Sequence, residues 1–316
     1  MSLLFVADPL EAFKTYKDTT FAMMREAARR GHDLLACTPS DLVWRRGGRV
    51  TATAARAFEL TGKEEDWFRV REQRDVELAA TRAVLMRKDP PFDGEYFYAT
   101  HLLQQAEREG ARVFNKPAAL RDHPEKLAIL EFAQWTPATL VTRSVAAIRA
   151  FHAEHKDIIV KPLDGMGGTG IFRVGPDGLN LGAIVETIGH DGATTLMVQR
   201  FLPAIAHGDK RILVIDGEPV PFCLARIPQG SEVRGNLAVG GTGVAQPLTA
   251  RDQEIARALG TVLRARGLLL VGLDVIGDSV TEINVTSPTC FQEITQQAGF
   301  DVARMFIDAL ERALAS

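Results

Sequence analysis

The sequence predicts a protein of mixed class, α/β in its N-terminal part and α+β in the remainder. Apolar runs of strand length alternate with stretches of helical period up to about residue 122, which is typical of a parallel sheet covered by helices. From Asp157 onwards, strand-like runs come in pairs joined by tight turns, which indicates antiparallel pairing. A chain of 316 residues is also long enough for roughly two domains.

Composition and charge exclude several classes of protein. Apolar residues make up 46% and charged residues 24%, which is typical of a globular chain, and a net charge of −3 gives no basic surface for nucleic acid. The densest apolar run, Leu268–Leu273, is far shorter than the ~20 residues of a membrane span, and Ser2–Ala7 resembles a strand more than a signal peptide. Cys37, Cys223 and Cys290 are widely spaced, which favours a reducing compartment. We therefore expect a cytoplasmic protein that binds neither nucleic acid nor membrane.

The first domain begins with a buried strand and a capped helix. Leu3–Ala7 is an apolar run that ends before a proline. Asp18 offers a cap for a helix through Ala27, and Gly31 stands where that helix should end. The other expected elements are strands at 33–37, 83–86 and 112–115 and a helix at 96–108. Arg87–Pro91 follows one of these strands, at the edge where parallel sheets bind ligands.

Capping and turn residues mark the elements of the second part. Asp122–Glu125 has the pattern of a capping box, so we expect a helix carrying Lys126 to begin there. Asp216–Gly217 separates two apolar runs and predicts a β-hairpin, and Pro221 places its second strand at an edge or a bulge. The polar stretch 228–247 contains five glycines, and a loop of that length is typically a lid or a binding loop.

A glycine-rich loop follows a strand that ends in Lys161. Gly165, Gly167 and Gly170 match the dinucleotide pattern G-x-G-x-x-G, but that motif requires a helix next, and here a strand follows over Ile171–Val174. A P-loop requires its lysine after the glycines. A lysine, a glycine loop and a returning strand can instead form a flap whose backbone N–H groups close over phosphate oxygens. The alternative is a glycine-rich hairpin turn with a solvated lysine.

Two apolar runs near the C-terminus contain Asp274, Glu282 and Asn284. Buried carboxylates are costly unless a partner or a metal neutralises them. A three-residue turn over 277–279 places position 274 opposite 282, on the face shared with 284, whereas a two-residue turn places it on the other face. We expect the three-residue turn, because three oxygen donors on one face suit Mg²⁺ shared with substrate phosphates. The alternative is a carboxylate neutralised by a neighbouring arginine.

The lysine, the glycine flap and the Glu-x-Asn strand together resemble the ATP-grasp ligases. The sequence is more similar still to the bacterial glutathione synthetases, and the similarity extends from Asp8 to the C-terminal helix. The stretches that carry it are Met86–Asp93, Asn115–Pro117, Lys161–Gly168, Gly208–Arg211, Leu224–Gly230, Arg234–Leu237 and Glu282–Thr289.

The resemblance implies an ATP-grasp architecture and a known reaction. Residues 1–122 would form an N-terminal parallel α/β domain, and 123–202 and 203–316 would form two mainly antiparallel α+β subdomains that clasp ATP. The reaction would join γ-glutamylcysteine to glycine through an acyl phosphate, giving glutathione, ADP and phosphate. The family is commonly homo-oligomeric.

The resemblance also implies roles for individual residues. Those at the nucleotide would be Lys126, Lys161, Gly165, Gly167 and Gly168 around the phosphates, Gln199 and Leu202 at the adenine, and Asp209 near the ribose. The ligands of Mg²⁺, or of Mn²⁺ in its place, would be Asp274, Glu282 and Asn284. Arg211 and Arg226 would stabilise the transferring phosphoryl group and the oxyanion.

The peptide substrate would contact a further set of side chains. These are Asp18, Arg87, Arg234, Ser287 and Thr289. A capping role would explain Asp18 and Ser287 equally well. Another ATP-grasp ligase would share the nucleotide residues, and Arg87–Pro91 is the segment that argues against it. A non-catalytic nucleotide-binding protein would be expected to lack a metal ligand or a phosphoryl-facing arginine, and both are present.

Overall fold

A computed structural model describes residues 2–230, 232, 234–237 and 240–315. Its strands form three sheets, which follow one another along the chain. The elements of the first sheet and its helices are β1 (Ser2–Val6), α1 (Thr19–Arg29), β2 (Asp33–Cys37), β3 (Leu42–Val43), β4 (Thr51–Leu60), β5 (Phe68–Glu77), β6 (Ala83–Met86), α2 (Gly94–Arg108), β7 (Val113–Phe114) and α3 (Pro117–Asp122).

The centre of the first sheet is parallel, as the sequence predicts. β2, β1, β6 and β7 lie side by side in that order, with parallel pairing throughout. Both faces of β1 are buried, because Leu4 and Val6 belong to a cluster with residues of α2 while Leu3 and Phe5 belong to a cluster with residues of α1. Asp18 caps α1 by accepting a hydrogen bond from the Phe21 N–H at 2.7 Å.

The edge of this sheet is antiparallel, which the sequence analysis did not predict. β4 pairs antiparallel with β2, β3 and β5. Nearly every residue of β5 is exposed, so it has no apolar run to mark it as a strand. Two shifts of register between β4 and β5 further obscure the alternation of polar and apolar residues.

The second and third sheets are antiparallel, as predicted. The elements that build them are β8 (Thr139–Thr142), α4 (Val145–His155), β9 (Ile158–Pro162), β10 (Phe172–Val174), α5 (Leu181–Gly189), β11 (Leu196–Arg200), β12 (Asp209–Ile215), β13 (Glu218–Ile227), β14 (Thr242–Pro247), α6 (Ala250–Ala265), β15 (Leu270–Ile276), β16 (Ser279–Asn284), α7 (Phe291–Ala298) and α8 (Val302–Ala315). The strand order is β10-β9-β11-β8 in the second sheet and β14-β13-β12-β15-β16 in the third.

The prediction that a helix begins at 122–125 is wrong. α3 ends at Asp122, and a 3₁₀ helix over Leu127–Trp135 begins only after Lys126. His123 precedes a proline, which disfavours helical backbone at that position. The Glu125 carboxylate cannot act as a cap, because it bonds to the chain beyond β16 instead.

The hairpin around Asp216–Gly217 is confirmed, since both residues have positive φ and Ile215 pairs with Glu218. The sequence predicts Pro221 at a bulge or on an edge strand. It lies at an irregularity of register between β12 and β13, which confirms the bulge, whereas β13 lies between two other strands and is not at the edge of the sheet. Among the residues that the structure describes, no helix is long and apolar enough to cross a membrane.

Candidate active site

The register of the third sheet gathers charged side chains on one face. Arg211 on β12 lies opposite Asp274 on β15, which in turn lies opposite Glu282 on β16. Asp209 stands two residues before Arg211 and lies opposite Arg226 on β13. Because alternate residues of a strand share a face, two arginines and three carboxylates meet above the same part of the sheet.

Asp274 lies opposite Glu282 for a different reason from the one expected. Ile276 pairs with Ser279, so the hairpin has a two-residue turn at 277–278. The prediction of a three-residue turn is therefore wrong. A shift of register inside the hairpin inserts an extra residue, Thr281, and restores the pairing of 274 with 282.

Two arginines neutralise the buried carboxylate of Asp274. Arg211 Nε donates to its Oδ1 at 2.6 Å, and Arg226 Nη2 lies 2.9 Å from its Oδ2. Burial favours the neutral acid, but the two guanidinium groups outweigh it and hold the pKa of Asp274 below its usual range. At Asp274 the structure therefore contains the alternative named in the sequence analysis, a carboxylate neutralised by neighbouring arginines.

Asp209 shares Arg226 with Asp274. Arg226 Nη2 donates to Asp209 Oδ2, and its Nε donates to the Asp209 carbonyl at 3.3 Å. The second carboxylate oxygen, Oδ1, is buried and has no hydrogen-bond partner in the described part of the chain. Burial raises the pKa of Asp209 to about 6 against the attraction of Arg226. A ligand hydroxyl would supply the missing donor.

Two buried lysines face the carboxylates from the other side. Lys126 Nζ lies 3.2 Å from Glu282 Oε1 and also donates to the carbonyl of Gly165. Lys161 Nζ donates at 3.3 Å to the carbonyl of Thr281, the extra residue of the hairpin. Burial lowers the pKa of Lys161, although Glu282 opposes that effect. Both ammonium groups are therefore held near the glycine flap and the β16 carboxylate.

The glycine flap closely approaches the polar loop between β13 and β14. Gly167 and Gly168 have positive φ, and a Cβ on Gly168 would lie 2.8 Å from the side-chain oxygen of Asn236. Arg234 donates from Nη1 to the Gly168 carbonyl at 3.1 Å. The loop is shorter than predicted, because residues 242–247 form β14. Positions 231, 233, 238 and 239 of the predicted lid lie outside the described residues.

The predicted adenine segment follows β11. Gln199 is buried, and its Nε2 donates to Thr139 Oγ1 at 3.1 Å. Phe201 lies between the two predicted contacts, Gln199 and Leu202, and the guanidinium of Arg173 is 3.8 Å from the centre of its ring. This stack supports the chain at the point where it turns away from the sheet.

Residues of the first domain and of the 287–289 segment form the far wall. Arg87 donates to Thr20 Oγ1 and to the Pro288 carbonyl, both at 3.1 Å, and burial lowers its pKa. Ser287 donates to the Arg87 carbonyl at 3.4 Å. Thr289 is 3.5 Å from Arg211 Nη1, so this wall adjoins the charged face of the third sheet.

The charged face, the glycine flap, the predicted adenine segment and the far wall all contribute residues to one cavity of about 590 Å³. The cavity wall includes every predicted site residue, which are Asp18, Arg87, Lys126, Lys161, Gly165, Gly167, Gly168, Gln199, Leu202, Asp209, Arg211, Arg226, Arg234, Asp274, Glu282, Asn284, Ser287 and Thr289. The cavity extends from the flap and the charged face of the third sheet to residues of the first domain.

Comparison with protein families identifies the chain. Residues 1–121 match the N-terminal domain of prokaryotic glutathione synthetase, and residues 125–299 match its ATP-grasp domain. The chain belongs to the prokaryotic glutathione synthetase family. It is therefore an ATP-dependent carboxylate–amine ligase.

Members of this family resemble the chain over nearly its whole length. A glutathione synthetase from Ralstonia nicotianae is 63% identical over 99% of this chain and 96% of its own. One from Neisseria meningitidis serogroup A is 55% identical over 98% of each chain. Solved structures of the ATP-grasp fold resemble the chain at much lower sequence identity. D-cycloserine synthetase DcsG superposes with a TM-score of 0.68 and is 16% identical, and the match covers 99% of this chain and 100% of that chain. The ATP-grasp ligase PsnB superposes with a TM-score of 0.65 and is 20% identical, and the match covers 99% of each chain.

The donor set of this synthetase-family site fits a hard divalent cation shared with phosphate. Glu282 and Asn284 share a face of β16, and both reach the cavity. Asp274 has each oxygen engaged by an arginine, but a carboxylate oxygen has a second lone pair. Among the described residues, no group of three His, Cys, Asp or Glu side chains is arranged so that it could hold a metal ion alone, so substrate oxygens would have to complete the coordination.

Two acidic residues that line the cavity were missed by the sequence analysis. Glu125 precedes Lys126 directly, and burial together with the charge of Glu282 raises its pKa. Burial also raises the pKa of Glu293, whose Oε2 is buried and without a hydrogen-bond partner among the described residues. Adjacency to Lys126, a lysine predicted to bind phosphate, could have indicated Glu125. Glu293 stands on α7 and carries no sequence signal of its own.

Proposed function

We propose that this chain joins γ-L-glutamyl-L-cysteine to glycine with hydrolysis of ATP to ADP and phosphate. The observation that carries the proposal is a cavity lined by two lysines and a glycine flap, which also has a wall that contains Arg87. Membership of the glutathione synthetase family and identities of 55–63% to named members support the choice of substrates.

The nucleotide would lie between the flap and the third sheet. Lys126 and Lys161 would bind the α- and β-phosphates as point charges, and the backbone of Gly165, Gly167 and Gly168 would cover them. Gln199 and Leu202 would hold the adenine, and Asp209 would accept from a ribose hydroxyl through its unpartnered oxygen.

The first chemical step would form an acyl phosphate. A cysteinyl carboxylate oxygen attacks the γ-phosphorus, the bond to the bridging oxygen breaks, and ADP leaves with the electron pair. Arg211 and Arg226 would lie over the transferring group, since both guanidinium groups stand on the charged face of the sheet. They are held in place by Asp274, so little reorganisation would be needed as charge develops.

The second step would form the peptide bond. The glycine amine attacks the acyl carbon, the carbonyl oxygen becomes an oxyanion, and phosphate leaves as the amine loses its proton. A guanidinium group suits this step, because its planar set of N–H donors can bond to the phosphoryl oxygen and to the oxyanion at the same time. Closure of the loop that contains Arg234 over the flap would exclude water from the acyl phosphate.

Three further features belong to the proposal. Glu282, Asn284 and Asp274 would hold Mg²⁺, or Mn²⁺, which when bound would neutralise phosphate charge. The three cysteines are free and buried, which fits the reducing cytoplasm. A homo-oligomer is proposed from the family resemblance alone.

Release of ADP tests the proposal directly. With Mg²⁺ present, we expect rapid release only when γ-glutamylcysteine and glycine are both supplied, and little with other amino acids in place of glycine. Rapid release with a different acid and amine would indicate another carboxylate–amine ligase. Binding of ATP without turnover of any pair would indicate a non-catalytic nucleotide-binding protein.

A further inference from the structure

One oxygen of Glu125 holds the chain where it leaves β16. Oε1 accepts hydrogen bonds from the Val285 N–H at 2.9 Å, the Thr286 N–H at 3.1 Å and Thr286 Oγ1 at 2.8 Å. The backbone carbonyl of Glu125 accepts from the Ile283 N–H at 2.9 Å. Residue 125 therefore bonds to the chain on both sides of Asn284.

These bonds connect the phosphate lysine with the predicted metal strand. Lys126 is the next residue along the chain, and its Nζ lies 3.2 Å from Glu282 Oε1. Both termini of the Glu282–Thr286 segment are thus tied to the same dipeptide. A displacement of that segment would move Asn284 and Glu282 relative to the lysine.

The hydrogen bonds of Glu125 to Val285 and Thr286 also fix the start of the segment 287–289, which forms part of the far wall of the cavity. Thr286 is buried, and the chain continues from it into Ser287, which donates to the Arg87 carbonyl, and then to Thr289 beside Arg211. Glu125 therefore lies at the junction between the segment that faces the nucleotide and the segment that faces the first domain.

The three hydrogen bonds to Glu125 require an acceptor oxygen at the end of a side chain of this length, and they do not require its negative charge. All three donors meet Oε1, so a glutamine could accept the same bonds through its amide oxygen. An aspartate keeps the charge but is shorter by one methylene, so its oxygen cannot reach both N–H groups from the same backbone position.

We propose that Glu125 is a positioning residue, which fixes the 282–286 segment against Lys126 through the three hydrogen bonds to Oε1. The inference rests on the proposed ligase function, because its effect is read in turnover. Loss of the contact misplaces groups around the reacting phosphoryl group, and a misplacement of about 1 Å can cost about 100-fold in rate.

The test compares Glu125→Asp with Glu125→Gln. We expect the aspartate variant to lose about 100-fold in kcat and to need more Mg²⁺ for half-maximal rate, and the glutamine variant to stay within about fivefold of the unchanged protein. Glu26→Asp is the matched control, because it shortens another buried carboxylate, one that bonds to Arg29 and Arg30 and is not among the residues that line the cavity. It should lower the unfolding temperature without lowering kcat.

Three results would overturn the inference. These are an aspartate variant with unchanged kcat, a glutamine variant that loses more activity than the aspartate variant, and losses in kcat that only follow the unfolding temperature, as a purely structural role requires. If the aspartate variant does not fold, Thr286→Val against Thr286→Ser decides, since only the valine removes a donor to Oε1. Failure of the unchanged protein to turn over would instead contradict the proposed function.

Discussion

Arg226 reaches across a neighbouring strand to Asp274, with its Nη2 2.9 Å from Oδ2. The two residues stand on β13 and β15, which are separated by β12 in the sheet. The same nitrogen also donates to Asp209, so one guanidinium is fixed by carboxylates from two strands. An arginine that only had to stay on the surface would not need such a frame. We interpret the frame as the preorganisation that an oxyanion-binding group requires.

Replacement of Arg226 by lysine tests that interpretation. Lysine keeps the charge but loses the planar guanidinium, whose Nη2 contacts Asp209 and Asp274 while its Nε donates to the Asp209 carbonyl. We therefore expect kcat to fall by about two to three orders of magnitude. The KM for ATP should change little, because Lys126 and Lys161 would carry nucleotide binding. Arg30→Lys, in an ion-pair network at the C-terminal end of α1, is the control and should leave kcat unchanged. Intact kcat with weakened ATP binding would place Arg226 at the nucleotide instead.

Replacement of Glu282 by glutamine tests the metal assignment. We expect activity to fall by several orders of magnitude, because the change removes a charge from the face that would hold the cation. The unfolding temperature should fall slightly, since buried Lys126 loses the negative charge 3.2 Å away and keeps only uncharged acceptors. Glu254→Gln, on the exposed side of α6, serves as control. Turnover within about tenfold at saturating Mg²⁺ would refute the assignment.

Replacement of Asp209 by asparagine tests the raised pKa of this carboxyl. Its pKa is about 6 in the folded chain and about 4 in an unfolded one, so the folded state binds the extra proton between these values. Asp209 should therefore contribute a loss of stability as pH rises from about 4 through about 6, and the asparagine variant should lack that contribution. The difference in unfolding temperature, variant minus unchanged protein, should grow from pH 5 to pH 8. A constant difference would show that Asp209 is not perturbed.

Replacement of Gly235 by alanine tests closure of the polar loop. A Cβ at this position would lie 2.1 Å from the Arg226 carbonyl, so the loop could not pack as the structure shows. In the unchanged protein, we expect ATP and the dipeptide to protect the bond after Arg234 from trypsin. The alanine variant should stay cleavable and lose activity, whereas Gly175→Ala, which has space for a Cβ, should behave like the unchanged protein. Equal cleavage with and without substrates would contradict the lid.

The acidic hairpin shows how far sequence reasoning extends. Strand alternation predicted that Glu282 and Asn284 share a face, and a three-residue turn was expected to bring Asp274 to it; the structure places Asp274 opposite Glu282 with a two-residue turn. The register came from a bulge at Thr281 and not from the length of the turn. A bulge depends on long-range contacts, such as the one between the Thr281 carbonyl and Lys161, which local pattern does not reveal.

Other parts of the site could not be predicted for a related reason. Glu125 resembled a helix cap because its spacing suits one, yet its carboxylate bonds to residues 160 positions along the chain. The exposed strand β5 lacked the apolar face on which a strand prediction depends. Local patterns identified the glycine flap and the lysines, whereas contacts between distant segments decided which other groups face them.

Transfer of ¹⁸O from the peptide substrate to phosphate tests the central claim, that this cavity activates a carboxylate by phosphorylating it. γ-Glutamylcysteine carrying ¹⁸O in its cysteinyl carboxylate would be turned over with ATP and glycine, and the released phosphate analysed by mass spectrometry. The attacking oxygen stays with phosphorus when glycine displaces the phosphate, so each phosphate should carry a labelled oxygen. Unlabelled phosphate released together with ADP would mean that water attacks ATP directly, and would contradict the account.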